Sequence, residues 1–134
     1  MSAYSVNLVA NMPVLHIKIN DDYSVGADMV TSFTAAKELL DTVDEPVYYL
    51  NEIGDIGVSF SELVQLLGNA TKGQLDILKH PMIKEIIVVS QHTLLQLGGR
   101  ALGQKQYGRL TANIFGSIDE AWEYINQEIE KTTR

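Results

Sequence analysis

Apolar and polar residues alternate along residues 4–9 and again along 14–20, where Leu15, Ile17 and Ile19 fall on one face and His16 and Lys18 on the other. A period of two marks a half-buried strand. Ala10-Asn11-Met12-Pro13 supplies the turn between the two runs, so together they predict an antiparallel hairpin. The period then changes. Met29, Phe33, Ala36, Leu40 and Val43 recur three and four residues apart, the spacing of an amphipathic helix. Asp44-Glu45-Pro46 ends that helix, because the residue before a proline disfavours helical backbone. Val47-Tyr48-Tyr49-Leu50 reads as a short buried strand, followed by a polar, glycine-punctuated loop over residues 51–58. Ser59-Phe60-Ser61-Glu62 opens a helix that runs through Leu67 to a C-cap at Gly68-Asn69. A further helical turn or two is expected over residues 74–79, stopped at His80-Pro81. Ile86-Ile87-Val88-Val89 places four β-branched residues in a row, the pattern of a central parallel strand buried on both faces. A helix over residues 93–105, a strand over 110–115 and a last helix over 116–131 complete the chain. Ser117 and Glu120 form a capping box at the start of that last helix, and Trp122, Ile125 and Ile129 supply its buried stripe.

The order is β-β-α-β-α-β-α-β-α. Strands alternating with helices imply a mainly parallel sheet with right-handed crossovers, and the N-terminal hairpin makes the sheet mixed. The expectation is a single α/β domain over residues 1–134, with helices packed on the sheet and no repeat, linker or low-complexity segment. At 134 residues the chain can bury one core, and its 46% hydrophobic and 20% charged residues are those of an ordinary globular protein. No apolar run approaches the roughly 18 residues of a membrane helix. The first residues lack the basic and apolar regions of a secretory signal, and there is no cysteine. These features fit a cytoplasmic protein without disulfides or thiolate metal sites. The net charge is −7, and the only local basic clusters are Arg100, Lys105 and Arg109, and the terminal Lys131 and Arg134. A duplex-binding domain shows a basic stripe, so nucleic acid and membrane insertion are not expected. A basic protein surface is the better electrostatic match.

Candidate chemistry gathers at the carboxyl edge of the sheet, where ligands bind in open α/β folds. Ser59 and Glu62 have the spacing of a capping box, and Ser59 or Ser61 is alternatively a modification site on a helix N-terminus. Asn51, Glu52 and Asp55 cluster on the loop, either as a solvated surface or as paired polar groups. His92 ends the Ile86 to Ser90 strand and Thr93 opens the next helix on the same edge, and Asp55, Ser59 and His92 can be drawn as an orienter, nucleophile and base. There is no Gly-x-Ser-x-Gly elbow. His16, His80 and His92 are too scattered for a ligand pair on one helix, so neither a metal nor another cofactor is expected. Gly98-Gly99 and Gly103 interrupt a helical pattern. They either let the helix approach its neighbours closely or open an apolar gap lined by Leu94, Leu97, Gly98, Gly99 and Leu102.

The element order resembles the STAS-like, anti-sigma-factor-antagonist fold, in particular its bacterial branch of small stand-alone domains related to the lipid-binding CRAL-TRIO fold. The resemblance covers residues 5–127. It rests on the strand-loop-helix at residues 47–67 and on the Glu85-Ile-Ile-Val-Val-Ser and Ile114-Phe115-Gly116-Ser117-Ile118-Asp119-Glu120-Ala121-Trp122 segments. In antagonists of that family a serine at the start of the helix after the third strand is phosphorylated by a partner kinase. Position makes Ser59 and Ser61 the candidates. The chain departs from the motif: Val58 and Phe60 precede the two serines where an aspartate is usual, and Glu62 stands where a small residue is expected. The resemblance implies a non-catalytic regulatory module that binds a protein partner and forms a homodimer or other homo-oligomer. A carrier of a small apolar or lipid-like molecule and a small Ser/His hydrolase are the alternatives.

Overall fold

The computed structural model describes residues 3–72 and 76–132. It is a single α/β domain with a five-stranded sheet and, among the described residues, four α-helices. The strands are β1 (Tyr4–Leu8), β2 (Val14–Ile19), β3 (Val47–Ile53), β4 (Ile83–Val89) and β5 (Ala112–Phe115). The helices are α1 (Val25–Leu40), α2 (Phe60–Lys72), α3 (Thr93–Ala101) and α4 (Ile118–Thr132). β1 and β2 form the antiparallel hairpin, with Tyr4 opposite Ile19 and Leu8 opposite Leu15. β2, β3, β4 and β5 then run parallel in sequential order.

That order decides where the helices go. Each crossover steps one strand in the same direction, and a right-handed connection therefore deposits its helix on the same face every time. The buried cluster on that face joins Leu15, Ile17 and Tyr49 of the sheet to Ala36 and Leu40 of α1, Leu63 and Ala70 of α2, and Leu95 of α3. α4 follows the last strand and covers the opposite face, where Ala121 and Ile125 pack on Tyr48, Leu50, Ile87 and Val89. Both faces of β3 and β4 are thereby covered, which is why Val47 to Leu50 and Ile86 to Val89 are apolar without alternation. No helix among the described residues is long and apolar enough to cross a membrane.

Besides shifts of a few residues at the end of α1 and the starts of β5 and α4, four departures from the sequence expectation stand out. β3 continues through Asn51, Glu52 and Ile53, because β2 offers ladder partners Ile17, Lys18 and Ile19 to those residues. The following loop is shorter as a result. α2 runs through Gly68 to Lys72, its last turn held by buried Ala70 and by Thr71, whose hydroxyl donates to the Leu67 carbonyl at 2.7 Å. Gly68-Asn69 is therefore helix interior and not a cap. Ile77–Lys79 is one 3-10 turn, and residues 74 and 75 lie outside the described residues. α3 stops at Ala101, and Lys105–Tyr107 forms a separate 3-10 turn closed by Gly108 at φ 91°.

Candidate functional site

Between the sheet and the α1–α3 layer lies a cavity of about 110 Å³. Its floor is the helix-facing side of the sheet, including Ile17, Tyr49, Asn51, Ile86 and Val88. Its roof is built by Ser32 and Phe33 of α1, Leu63 and Ala70 of α2, and Leu95, Gly98 and Gly99 of α3. The period-two geometry of a strand puts Tyr49, Asn51 and Ile53 on one face and Leu50 and Glu52 on the other. Extending β3 by three residues thus aims Asn51 into the helix layer.

The glycines of α3 set the roof height. A Cβ on Gly98 would lie 2.7 Å from Leu63 Cδ1, and one on Gly99 would lie 3.0 Å from Ile114 Cδ1. Close approach is therefore their role, and α3 is continuous through both. They also line the cavity, as does Leu102. Leu94 packs against the same core from outside the lining, and Leu97 faces solvent with 51% of its surface exposed. Of the residues expected around an apolar gap, Gly98, Gly99 and Leu102 border the cavity, Leu94 lies beside it, and the helical period turns Leu97 away from the sheet.

The polar groups on the cavity wall divide into satisfied and unsatisfied. Ser32 Oγ donates to the Met29 carbonyl at 3.0 Å, so its one hydrogen is committed and the Tyr23 hydroxyl donates to it at 2.9 Å. Burial pushes the phenols of Tyr23 and Tyr49 above the ordinary tyrosine value, the Ser32 bond opposing the shift at Tyr23. Both rings are neutral at physiological pH, and among the described residues no Asp, Glu, Lys, Arg or His lines the cavity. Asn51 Oδ1 is different: it is buried and has no hydrogen-bond partner. Tyr23, Ser32 and Tyr49 escaped the sequence reading. Their signal was a serine on the apolar stripe of α1 and a tyrosine inside the buried run of β3.

The remaining expected site residues are not brought together. Glu52 points to the opposite face and bonds His16 Nε2 at 2.9 Å, beside the edge-on ring of Trp122. Asn51, Glu52 and Asp55 therefore form no cluster, since the strand alternation separates the first two. Asp55 is exposed and donates its backbone N–H to Asp21 Oδ1 at 2.9 Å. The loop holding it is anchored by more than polar contacts. Ile56 and Val58 are buried, and the Gly54 N–H bonds the Ile19 carbonyl at 2.8 Å. A Cβ on Gly54 would meet Asp21 Oδ1 at 2.7 Å and that carbonyl at 2.8 Å, so only glycine lets the two loops touch.

Ser59 and Glu62 form a reciprocal capping box, with the Glu62 N–H donating to Ser59 Oγ and the Ser59 N–H to Glu62 Oε1, each at 3.1 Å. Ser61 is exposed on the first turn of α2. His92 is the N-cap of α3 but makes no side-chain cap; its N–H donates to Ser90 Oγ at 3.0 Å, and its Nδ1 is buried without a partner. A nucleophile–base–orienter set needs a carboxylate on one ring nitrogen and a serine on the other. Here Nδ1 is empty-handed and Ser59 Oγ is occupied by the cap. Thr93 is exposed at the first position of α3. His80 Nε2 bonds Asp41 at 2.7 Å while its Nδ1 accepts the Met82 N–H, a clamp between the end of α1 and the start of β4. Among the described residues no three His, Asp or Glu side chains converge as metal ligands.

Comparison of the chain with protein-family models, curated proteins and solved structures finds no match.

Proposed function

We propose that this protein is a non-catalytic binding module that holds a small apolar molecule between its sheet and its α1–α3 layer. The cavity of about 110 Å³ carries the proposal. Protein interiors pack like organic crystals and leave few voids larger than a water molecule. An apolar cavity of about 150 Å³ holds benzene, so one of about 110 Å³ takes nothing larger than a single small ring. Left empty, this one costs about 2–3 kcal/mol at roughly 24 cal/mol per Å³, which a ligand filling it would restore. The STAS-like kinship belongs to the same proposal, supported by the element order and by one helix layer wound along a sequential sheet.

Native mass spectrometry of protein purified without denaturant tests the reading. A co-purifying mass that denaturation releases, or a ligand-free preparation whose melting temperature rises with toluene, supports it. A clean ligand-free mass in repeated preparations, together with no toluene-dependent stabilisation, contradicts it.

A second reading, a regulatory module that docks a protein partner, is favoured by the carboxyl-edge end of α2. Phe60 is 71% exposed and Val64, one turn on, 43%. Exposed apolar side chains in one row mark interaction surfaces more often than isolated ones do. Light scattering on the wild type and on Phe60→Ser tests it. An assembly that dissociates in the variant favours docking between copies, and a monomer in both removes that partner.

A further inference from the structure

The orphaned acceptor on the cavity wall says what kind of molecule the cavity takes. Resting on the binding reading above, we infer that the ligand is an uncharged, compact molecule with an apolar body and one hydrogen-bond donor, a hydroxyl or N–H, delivered to Asn51 Oδ1.

Three observations converge on it. The lining is otherwise hydrocarbon, two neutral phenols and the Ser32 hydroxyl, and among the described residues it includes no ionic side chain. An ion entering it would be desolvated with nothing to compensate, so a charged ligand is rejected. Of the polar groups on the wall, Tyr23 and Ser32 are spent on each other and on the Met29 carbonyl. The Tyr49 hydroxyl carries a hydrogen of its own, and among the described residues of the wall Asn51 Oδ1 is the acceptor that is buried and unpaired. A carboxamide oxygen can only accept, so the missing partner must donate. Its placement is not accidental to the strand: β3 is pinned on both sides at this residue, with Ile17 as neighbour in β2 and Val88 in β4. The two ladders fix the backbone here, so the Asn51 side chain always leaves the strand on the cavity side.

The asymmetry of polar burial makes the inference sharp. In a purely hydrocarbon cavity phenol loses to toluene, because its hydroxyl gives up water and gains nothing. A site with an unpaired acceptor reverses that order, since the ligand lacking the donor leaves the acceptor orphaned.

Calorimetric titration of the full chain with toluene, phenol and aniline, three probes of nearly one size, reads this directly. For the wild type, phenol and aniline are expected to bind about tenfold more tightly than toluene, or better. Benzoate at neutral pH is expected not to compete. In Asn51→Leu, whose larger side chain takes up part of the cavity, binding weakens overall and the order inverts, so that toluene becomes the best of the three. Toluene equal to or tighter than phenol in the wild type overturns the inference while leaving the cavity reading intact. Retention of the phenol preference in Asn51→Leu overturns the assignment to Asn51. Binding of none of the probes overturns the cavity reading itself. Should Asn51→Leu fail to fold, the wild-type ranking of the three probes still decides the donor requirement.

Discussion

Replacing Asn51 by leucine should stabilise the ligand-free protein. The expectation is unusual, because most substitutions on a central strand destabilise. Asn51 Oδ1 is buried with no partner, so the native state carries its full desolvation penalty, about 1–3 kcal/mol. Leucine removes the penalty and has no bond to break at that atom. Its branched end enters the cavity that Leu63, Ala70 and Leu95 leave open, so overpacking strain is small. Counting the acceptor alone, and discounting because the residue is only half-buried, the gain is about 1–2 kcal/mol. For a chain of this length that is a rise of roughly 4–8 °C in melting temperature. Differential scanning calorimetry on ligand-free protein, with urea titration to show an unchanged denaturant slope, measures it. A melting temperature that falls, or does not move, would refute the reasoning, because it means the oxygen is already satisfied.

Gly54→Ala should destabilise by about 2–3 kcal/mol in urea titration, since its Cβ would strike a backbone carbonyl and Asp21 within 2.8 Å and neither loop can retreat freely. Ser59→Ala should lower stability by about 1 kcal/mol through loss of the α2 cap, with cavity binding unchanged in the same preparation. Tyr124 donates to Glu85 at 2.5 Å, and burial, followed by that carboxylate, raises its phenol above the usual 10.0. Its contribution is therefore complete below about pH 10 and is lost as pH rises through the elevated folded value. Tyr124→Phe should flatten that alkaline limb in pH-dependent urea titrations, leaving the part due to Tyr23 and Tyr49. Asp41 is shifted the other way, held below 3.8 by hydrogen bonds from His80 and then Lys37. Its contribution is present above 3.8 and fades as pH falls through the lowered value, so Asp41→Asn should flatten the acid limb of the same curve.

How much of this was legible depended on whether the signal was local. The order of elements and the two-face burial of Ile86 to Val89 follow from periodicity within a few residues, and a sequence shows them. β3 was cut short at Leu50 because Asn51 and Glu52 look like loop residues. Only the ladders to Ile17, Lys18 and Ile19 in β2 and to Val88 and Val89 in β4, all more than thirty positions away, make them strand. α2 was stopped at Gly68 for the complementary reason: a local glycine signal lost to the tertiary burial of Ala70 and Thr71. The Asn51-Glu52-Asp55 cluster dissolved with the same error, since one extra pair of strand residues sends neighbours to opposite faces. The cavity is the least legible feature. It is a deficit of volume among three helices and a sheet, and its sequence trace is a set of small residues, Ser32, Ala70, Gly98 and Gly99, that each look like close packing alone. Gly98, Gly99 and Leu102 pointed to the place, but the polar group that gives it meaning lay on a strand read as a loop.

The central claim, that the space between sheet and α1–α3 receives an apolar molecule with one donor, is tested most directly by methyl NMR during a phenol titration. The account predicts saturable shifts at the methyls of Leu63, Leu95, Ile86 and Val88 around the cavity. Leu50, Ile87 and Ile125 under α4, on the far face of the sheet, should stay unmoved. Shifts that never saturate, or that are as large beneath α4 as beneath α2, would contradict it.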